Sequence, residues 1–167
     1  FTRKFAHHGF IAICPDLYHR EGNGSSDDVA AQVRSMGGVS DEQVISDIIG
    51  ASEFTRNLSN NNGKVGLFGT CSGGRHAFLI GCSSDKFDAI VECWGGNVIM
   101  DKENITDKQP ISPVTLSKNL SSPILGIFGN DDVSPPPDQV NEHENLLKKH
   151  NKDYQFHRYD GAGHGFM

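Results

Sequence analysis

Cys71 lies in Gly69-Thr70-Cys71-Ser72-Gly73, a spacing in which a potential nucleophile is flanked two residues away on each side by glycine. A nucleophile on a tight strand-to-helix turn needs that spacing, because larger side chains at the flanking positions would meet the facing backbone. The turn would set the sulfur at a helix N-terminus, where the dipole and free amides favour thiolate over thiol. The Ser72 N–H would then face a developing oxyanion. Ser72 itself does not fit as the nucleophile, since Thr70 and Gly74 flank it. Taken alone, the segment also fits a tight turn around an inert, buried cysteine. Asp132 follows Gly129-Asn130-Asp131, and His164 lies in Gly161-Ala162-Gly163-His164-Gly165. Alone, the first suits a solvated acidic turn and the second an exposed loop histidine. In chain order, however, Cys71, Asp132 and His164 give nucleophile, acid and base, each just past a predicted strand. In that arrangement His164 takes the thiol proton and Asp132 orients the imidazole.

The elements that must position these residues can be read from periodicity and turn signals. Phe10–Cys14 is a continuous apolar run between Gly9 and Pro15, and it predicts a strand buried on both faces. Asp16–Ser40 is polar and glycine-rich, a long loop with a weak helix near Val29–Met36. Asp41–Leu58 reads as a helix: Ser40 and Gln43 form a capping box, and Val44, Ile48, Ala51, Thr55 and Leu58 share a stripe. Strands are expected at Lys64–Phe68, Asp88–Trp94, Pro123–Phe128 and Tyr154–Tyr159, with helices at Gly73–Cys82 and Asp138–His150. Asn97–Ser122, with Pro110 and Pro113, reads as an irregular excursion. Alternating strands and helices imply crossovers, hence an α/β fold with a mostly parallel sheet and helices on both faces.

Composition bounds the function classes. The chain has 167 residues, room for one domain over 1–167. Its formal net charge of −6 argues against a nucleic-acid or anionic-membrane binder. No run of about 18 apolar residues is present, so a membrane-spanning helix is not expected. The four cysteines, Cys14, Cys71, Cys82 and Cys93, form no C-x-x-C pair, and no histidine stands at zinc-finger spacing, so no metal site is expected. Cys14 and Cys93 lie in apolar runs and read as buried small hydrophobes. Scattered cysteines of this kind favour a reduced, cytoplasmic compartment. Thr2–His8 reads as the tail of a helix without its start, and Gly165-Phe166-Met167 as an end without a closing element; the expectation is an internal piece of a larger domain.

A family resemblance rests on segments spread along the chain. They are Gly9-Phe10 through Pro15-Asp16-Leu17-Tyr18-His19-Arg20, Asn62-Gly63-Lys64-Val65-Gly66-Leu67-Phe68-Gly69-Thr70-Cys71-Ser72-Gly73-Gly74-Arg75, Cys93-Trp94-Gly95-Gly96, Gly126-Ile127-Phe128-Gly129-Asn130-Asp131-Asp132 and Tyr159-Asp160-Gly161-Ala162-Gly163-His164-Gly165-Phe166. The chain resembles the dienelactone hydrolase (carboxymethylenebutenolidase) family, a cysteine-nucleophile branch of the α/β-hydrolases. The resemblance implies Cys71 as nucleophile, Asp132 as triad acid and His164 as triad base. Asp131 is the neighbouring candidate acid, but the family's acid falls three residues after the glycine, which selects Asp132. It also implies a small-molecule ester or lactone substrate and no cofactor. Arg34 lies in the region where the family places an arginine that binds a substrate carboxylate. The family's remaining oxyanion donor and an acidic residue near the resting nucleophile lie upstream of Phe1. The oligomeric state is not legible.

Other classes fit less well. A glutamine amidotransferase-like domain would also use a cysteine on such a turn, but it would want a carboxylate closely following the histidine, where Gly165-Phe166-Met167 stands. A non-catalytic or redox-sensing protein would keep the fold and leave the triad unused. A purely structural domain would make the three coincidences accidental.

Overall fold

The computed structural model describes all 167 residues and divides into two compact units. The first comprises Phe1–Val65 with Thr106–Gln109. It contains α1 (Thr2–His7), α2 (Ser26–Ser35) and α3 (Asp41–Arg56). The Ser25 hydroxyl caps α2 by accepting from the Asp28 N–H at 3.2 Å, which starts this helix earlier than its apolar residues alone predict. Ser40 caps α3 through the Gln43 N–H, as the capping box anticipates. Val29, Val33, Val39 and Val44 are buried. The Thr106–Gln109 segment is tied in by Asp41 N–H to the Lys108 carbonyl at 2.8 Å and by the Gln109 side-chain amide to the Val39 carbonyl. Arg20 grips Asp47 with two bonds of 2.7 and 3.1 Å.

One expected element is not formed. Phe10–Cys14 is extended but belongs to no sheet, Phe10 is 63% exposed, and Cys14 is exposed rather than buried. A strand is defined by its ladder, and the four-stranded sheet begins with β1 at its edge, so this apolar run has no pairing partner.

The second unit comprises Gly66–Ile105 and Pro110–Met167. Its strands β1 (Gly66–Thr70), β2 (Ala89–Cys93), β3 (Ile124–Gly129) and β4 (Tyr154–Tyr159) form a parallel sheet in the order β1-β2-β3-β4. The register pairs Thr70 with Cys93, Cys93 with Ile127, and Gly129 with Tyr159, so all four strands end at one edge. The helices α4 (Ser72–Ser83) and α5 (Pro137–Lys149) connect them, and the expected irregular excursion holds two short 3₁₀ segments, Lys102–Asn104 and Pro113–Asn119. In this unit β4 has the expected ends, and the ends of the other strands and helices differ from the expected ones by one or two residues.

The core of this unit joins Ala77, Phe78 and Cys82 of α4, Ile90 and Ile124 of the sheet, Leu147 of α5, and Val98, Val114 and Leu120 of the excursion. The α4 and α5 helices therefore meet on one face of the sheet, where the Phe78 ring stands edge-on to His143 at 4.4 Å. On the opposite face Val91, Leu125 and Ile127 are only part-buried. Gly81 lets α4 lie close to the sheet, because a Cβ there would run into the Ile90 side chain.

Candidate active site

Cys71 joins β1 to α4 with φ 55° and ψ −123°, a conformation that L-residues seldom adopt. Two features hold the turn. The Cys71 N–H donates to the Cys93 carbonyl at 3.0 Å, and its own carbonyl accepts from Gly74 at 2.9 Å and Arg75 at 3.2 Å. Gly69 is required, since a Cβ there would overlap the Gly73 carbonyl. The second close approach differs from the expected one. A Cβ at Gly73 would meet nothing, whereas at Gly74 it would lie 2.9 Å from the Cys93 carbonyl and 3.0 Å from the Gly95 Cα. The spacing rule thus identifies the turn, but the packing of α4 on the end of β2 decides which glycine is sterically constrained.

The Cys71 side chain is exposed. Ser72 occupies the first helical position, so its N–H is one of the donors that a helix start leaves without an intrahelical acceptor. The other two cysteines of this unit differ in kind. Burial raises Cys82 to about 12 and Cys93 to about 11, each helped by the nearby Glu92, so both stay thiols at neutral pH.

Asp132 follows β3 and His164 follows β4. Asn130 N–H donates to the Tyr159 carbonyl at 2.9 Å and Asp131 N–H to the Ala162 carbonyl at 3.0 Å, which zips the two loops together. Gly129 permits this approach, because a Cβ there would overlap the Ala162 carbonyl. As a result His164 Nδ1 lies 2.9 Å from Asp132 Oδ2 and 3.2 Å from Oδ1. The Asp132 carboxylate is buried and also accepts from the Ser134 N–H at 2.8 Å, while the His164 ring is partly exposed. Committing Nδ1 to a carboxylate leaves Nε2 as the nitrogen that can take and return a proton.

Trp94 was not anticipated as a site residue. It follows β2 with φ 37°, stands edge-on to His164 at 6.4 Å, and packs against Phe166 at 5.2 Å, which in turn meets Tyr159 at 5.4 Å. The imidazole therefore reaches back over the end of β2, the strand next to the one that carries Cys71. A tryptophan at a strand end is a sequence signal for this, but only the fold shows what it faces. Asp132 and His164 are brought into direct contact. Arg34 lies in the first unit, exposed in the last turn of α2.

A parallel sheet whose strand ends present a cysteine turn, then an acid, then a histidine defines the α/β-hydrolase class. The model of the dienelactone hydrolase family matches residues 1–167, and the chain belongs to that family. It is 31% identical over 166 residues to an Escherichia coli K12 protein provisionally named carboxymethylenebutenolidase, covering 98% of this chain and 60% of that protein. A Yersinia pestis protein with the same provisional name is 28% identical, at 98% and 61% coverage. The chain thus spans about three fifths of the length of these relatives. Among solved structures, a provisional dienelactone hydrolase from Klebsiella pneumoniae superposes with a TM-score of 0.85 at 27% identity, covering 98% of this chain and 68% of that one. An acylaminoacyl peptidase from Pyrococcus horikoshii shares the fold, with a TM-score of 0.66 at 24% identity.

Proposed function

We propose that the protein hydrolyses a carboxylic ester or lactone through a Cys71–Asp132–His164 triad. The observation that carries this reading is the 2.9 Å contact between His164 Nδ1 and the buried Asp132 carboxylate, formed by loops that end at the same sheet edge as the Cys71 turn. A buried carboxylate that fixes one imidazole nitrogen makes the other a directed base.

The cycle uses side chains and water. His164 Nε2 takes the Cys71 proton, and the thiolate attacks the carbonyl carbon of a small-molecule substrate. The Ser72 N–H donates to the resulting oxyanion at the start of α4. Collapse breaks the carbon–oxygen bond, the leaving alkoxide takes the proton from His164, and a thioester remains on Cys71. His164 then removes a proton from water as it attacks the thioester, and returns it to the departing thiolate. The family match runs through both units, which supports reading 1–167 as part of a single hydrolase domain. No helix is long and apolar enough to cross a membrane. The four free cysteines favour a reduced compartment such as the cytoplasm.

The test is turnover of p-nitrophenyl acetate and of an unsaturated lactone acid by the intact protein and by Cys71→Ala. Loss of both activities in the variant, with the fold retained, is expected. Unchanged turnover in Cys71→Ala, or none in the wild type, would remove the thiol-hydrolase reading and leave Cys71 as a redox or inert residue.

A further inference from the structure

Glu92 and His143 stand apart from the triad, on the face of the sheet covered by α4 and α5. Glu92 is 0% exposed in the middle of a parallel sheet, and neither of its carboxyl oxygens has a hydrogen-bond partner in the protein. His143 is buried on α5, its Nε2 is likewise without a partner, and its Nδ1 lies 3.9 Å from Glu92 Oε1. That separation is too long for a direct hydrogen bond. Both residues line a small cavity of about 10 Å³ that Gly95 and Gln139 also border. This is the room that one water requires, and a buried water is stable when two to four polar groups surround it.

We propose that Glu92 and His143 form a buried proton-sharing site with one internal water, in which the pair holds a single proton and no net charge. The physical reason is desolvation: an unpaired charge at either position would be buried without compensation, so states with zero or two protons are disfavoured. Burial accordingly pushes the Glu92 carboxyl well above its usual range and pulls His143 down to about 3. The surrounding titratable groups do not neutralise a charge there. Cys93 on β2 and Cys82 on α4 remain thiols, and the opposing positions on β1 and β3 are Gly69 and Gly126. Arg75 on α4 donates its Nε to the Asn97 carbonyl at 3.2 Å and turns its guanidinium toward the Met100 sulfur at 3.6 Å. On α5, Glu144 lies 4.0 Å from Arg158. Gly95 is part of the design: a Cβ there would lie 2.6 Å from Glu92 Oε1 and 3.0 Å from the Arg75 backbone nitrogen. The site thereby links β2, whose Cys93 carbonyl holds the Cys71 turn, to the helix that follows Asp132.

The experiment is equilibrium unfolding of the intact protein, Glu92→Gln and His143→Phe between pH 4.5 and 8.5. Unfolded carboxylates and imidazoles titrate near about 4.3 and 6.5. With one shared proton, the wild-type unfolding constant divided by that of Glu92→Gln rises about tenfold per pH unit across the whole range. Divided by that of His143→Phe, it falls about tenfold per unit up to pH 6.5 and is flat above. A flat ratio to Glu92→Gln would mean that the pair holds no proton and would overturn the assignment. A ratio to His143→Phe that climbs above pH 6.5 would mean two protons and would overturn it too. Should either variant fail to fold, wild-type ¹⁵N spectra decide: the His143 ring is expected not to titrate between pH 4.5 and 8, and a midpoint near 6.5 sinks the pair. A high-resolution crystal structure with no density within hydrogen-bond distance of both side chains would remove the water.

Discussion

His164 meets Asp132 through Nδ1 at 2.9 Å, with the carboxylate buried beneath a ring that stays partly open to solvent. One side of the imidazole is thereby fixed and the other is available. The carboxylate's second bond, from the Ser134 N–H at 2.8 Å, comes from its own loop and helps to fix its direction.

Asp132→Asn keeps the shape of that contact but can present an N–H to Nδ1, which favours the wrong tautomer. Ester turnover is expected to fall by about 10²- to 10⁴-fold with little change in Tm. Steady-state kinetics beside a thermal melt separate this from simple unfolding.

Gly129→Ala tests the approach of the acid loop to the histidine loop. The new methyl overlaps the Ala162 carbonyl, so the loops must part. A loss of stability of about 1–3 kcal/mol is expected, with a larger loss of activity than of fold. Gly73→Ala is the control: its Cβ meets nothing, and it is expected to change stability by under about 1 kcal/mol.

Thiol labelling should divide the cysteines by burial. Iodoacetamide at pH 8 is expected to modify Cys71 and Cys14 in the folded protein and to reach Cys82 and Cys93 only after unfolding. Rapid labelling of Cys82 in the native state would contradict its burial in the core cluster that also holds Ile90 and Leu120.

The same two buried thiols give stability a pH dependence. Their folded values, about 12 for Cys82 and about 11 for Cys93, lie above those of the unfolded chain. Below an ordinary thiol pKa of about 8.5 they are neutral in both states and have no effect. As pH rises from there toward 11, only the unfolded chain releases the protons, so stability falls. Cys82→Ala and Cys93→Ala should each flatten part of that decline in urea titrations above pH 8.5.

Leu147→Ala probes the junction of α5 with the core. This side chain is 0% exposed and packs in the cluster that also holds Phe78 and Ile124. A cost of about 2–5 kcal/mol is expected from denaturant unfolding.

Much of this was legible from local signals. The Ser40 cap, the glycine before Cys71, the apolar residues of β1 to β3 and the alternation along β4 act over a few residues, so the chain states them wherever it folds. Residue type and chain order single out Cys71, Asp132 and His164 as candidates, and the fold brings Asp132 and His164 into contact. What only the tertiary structure decided depends on partners distant in sequence. Phe10–Cys14 has the composition of a strand, yet it forms none, because a strand exists only where another strand offers a ladder. Gly74 rather than Gly73 is the tight position, because the end of β2 presses there. Glu92 in an apolar run gave no hint of His143, which is 51 positions away (143 − 92) and becomes its neighbour only when α5 folds onto the sheet. Local conformation is written in short stretches of sequence, whereas burial and the proton balance of buried groups are collective properties of the packed chain.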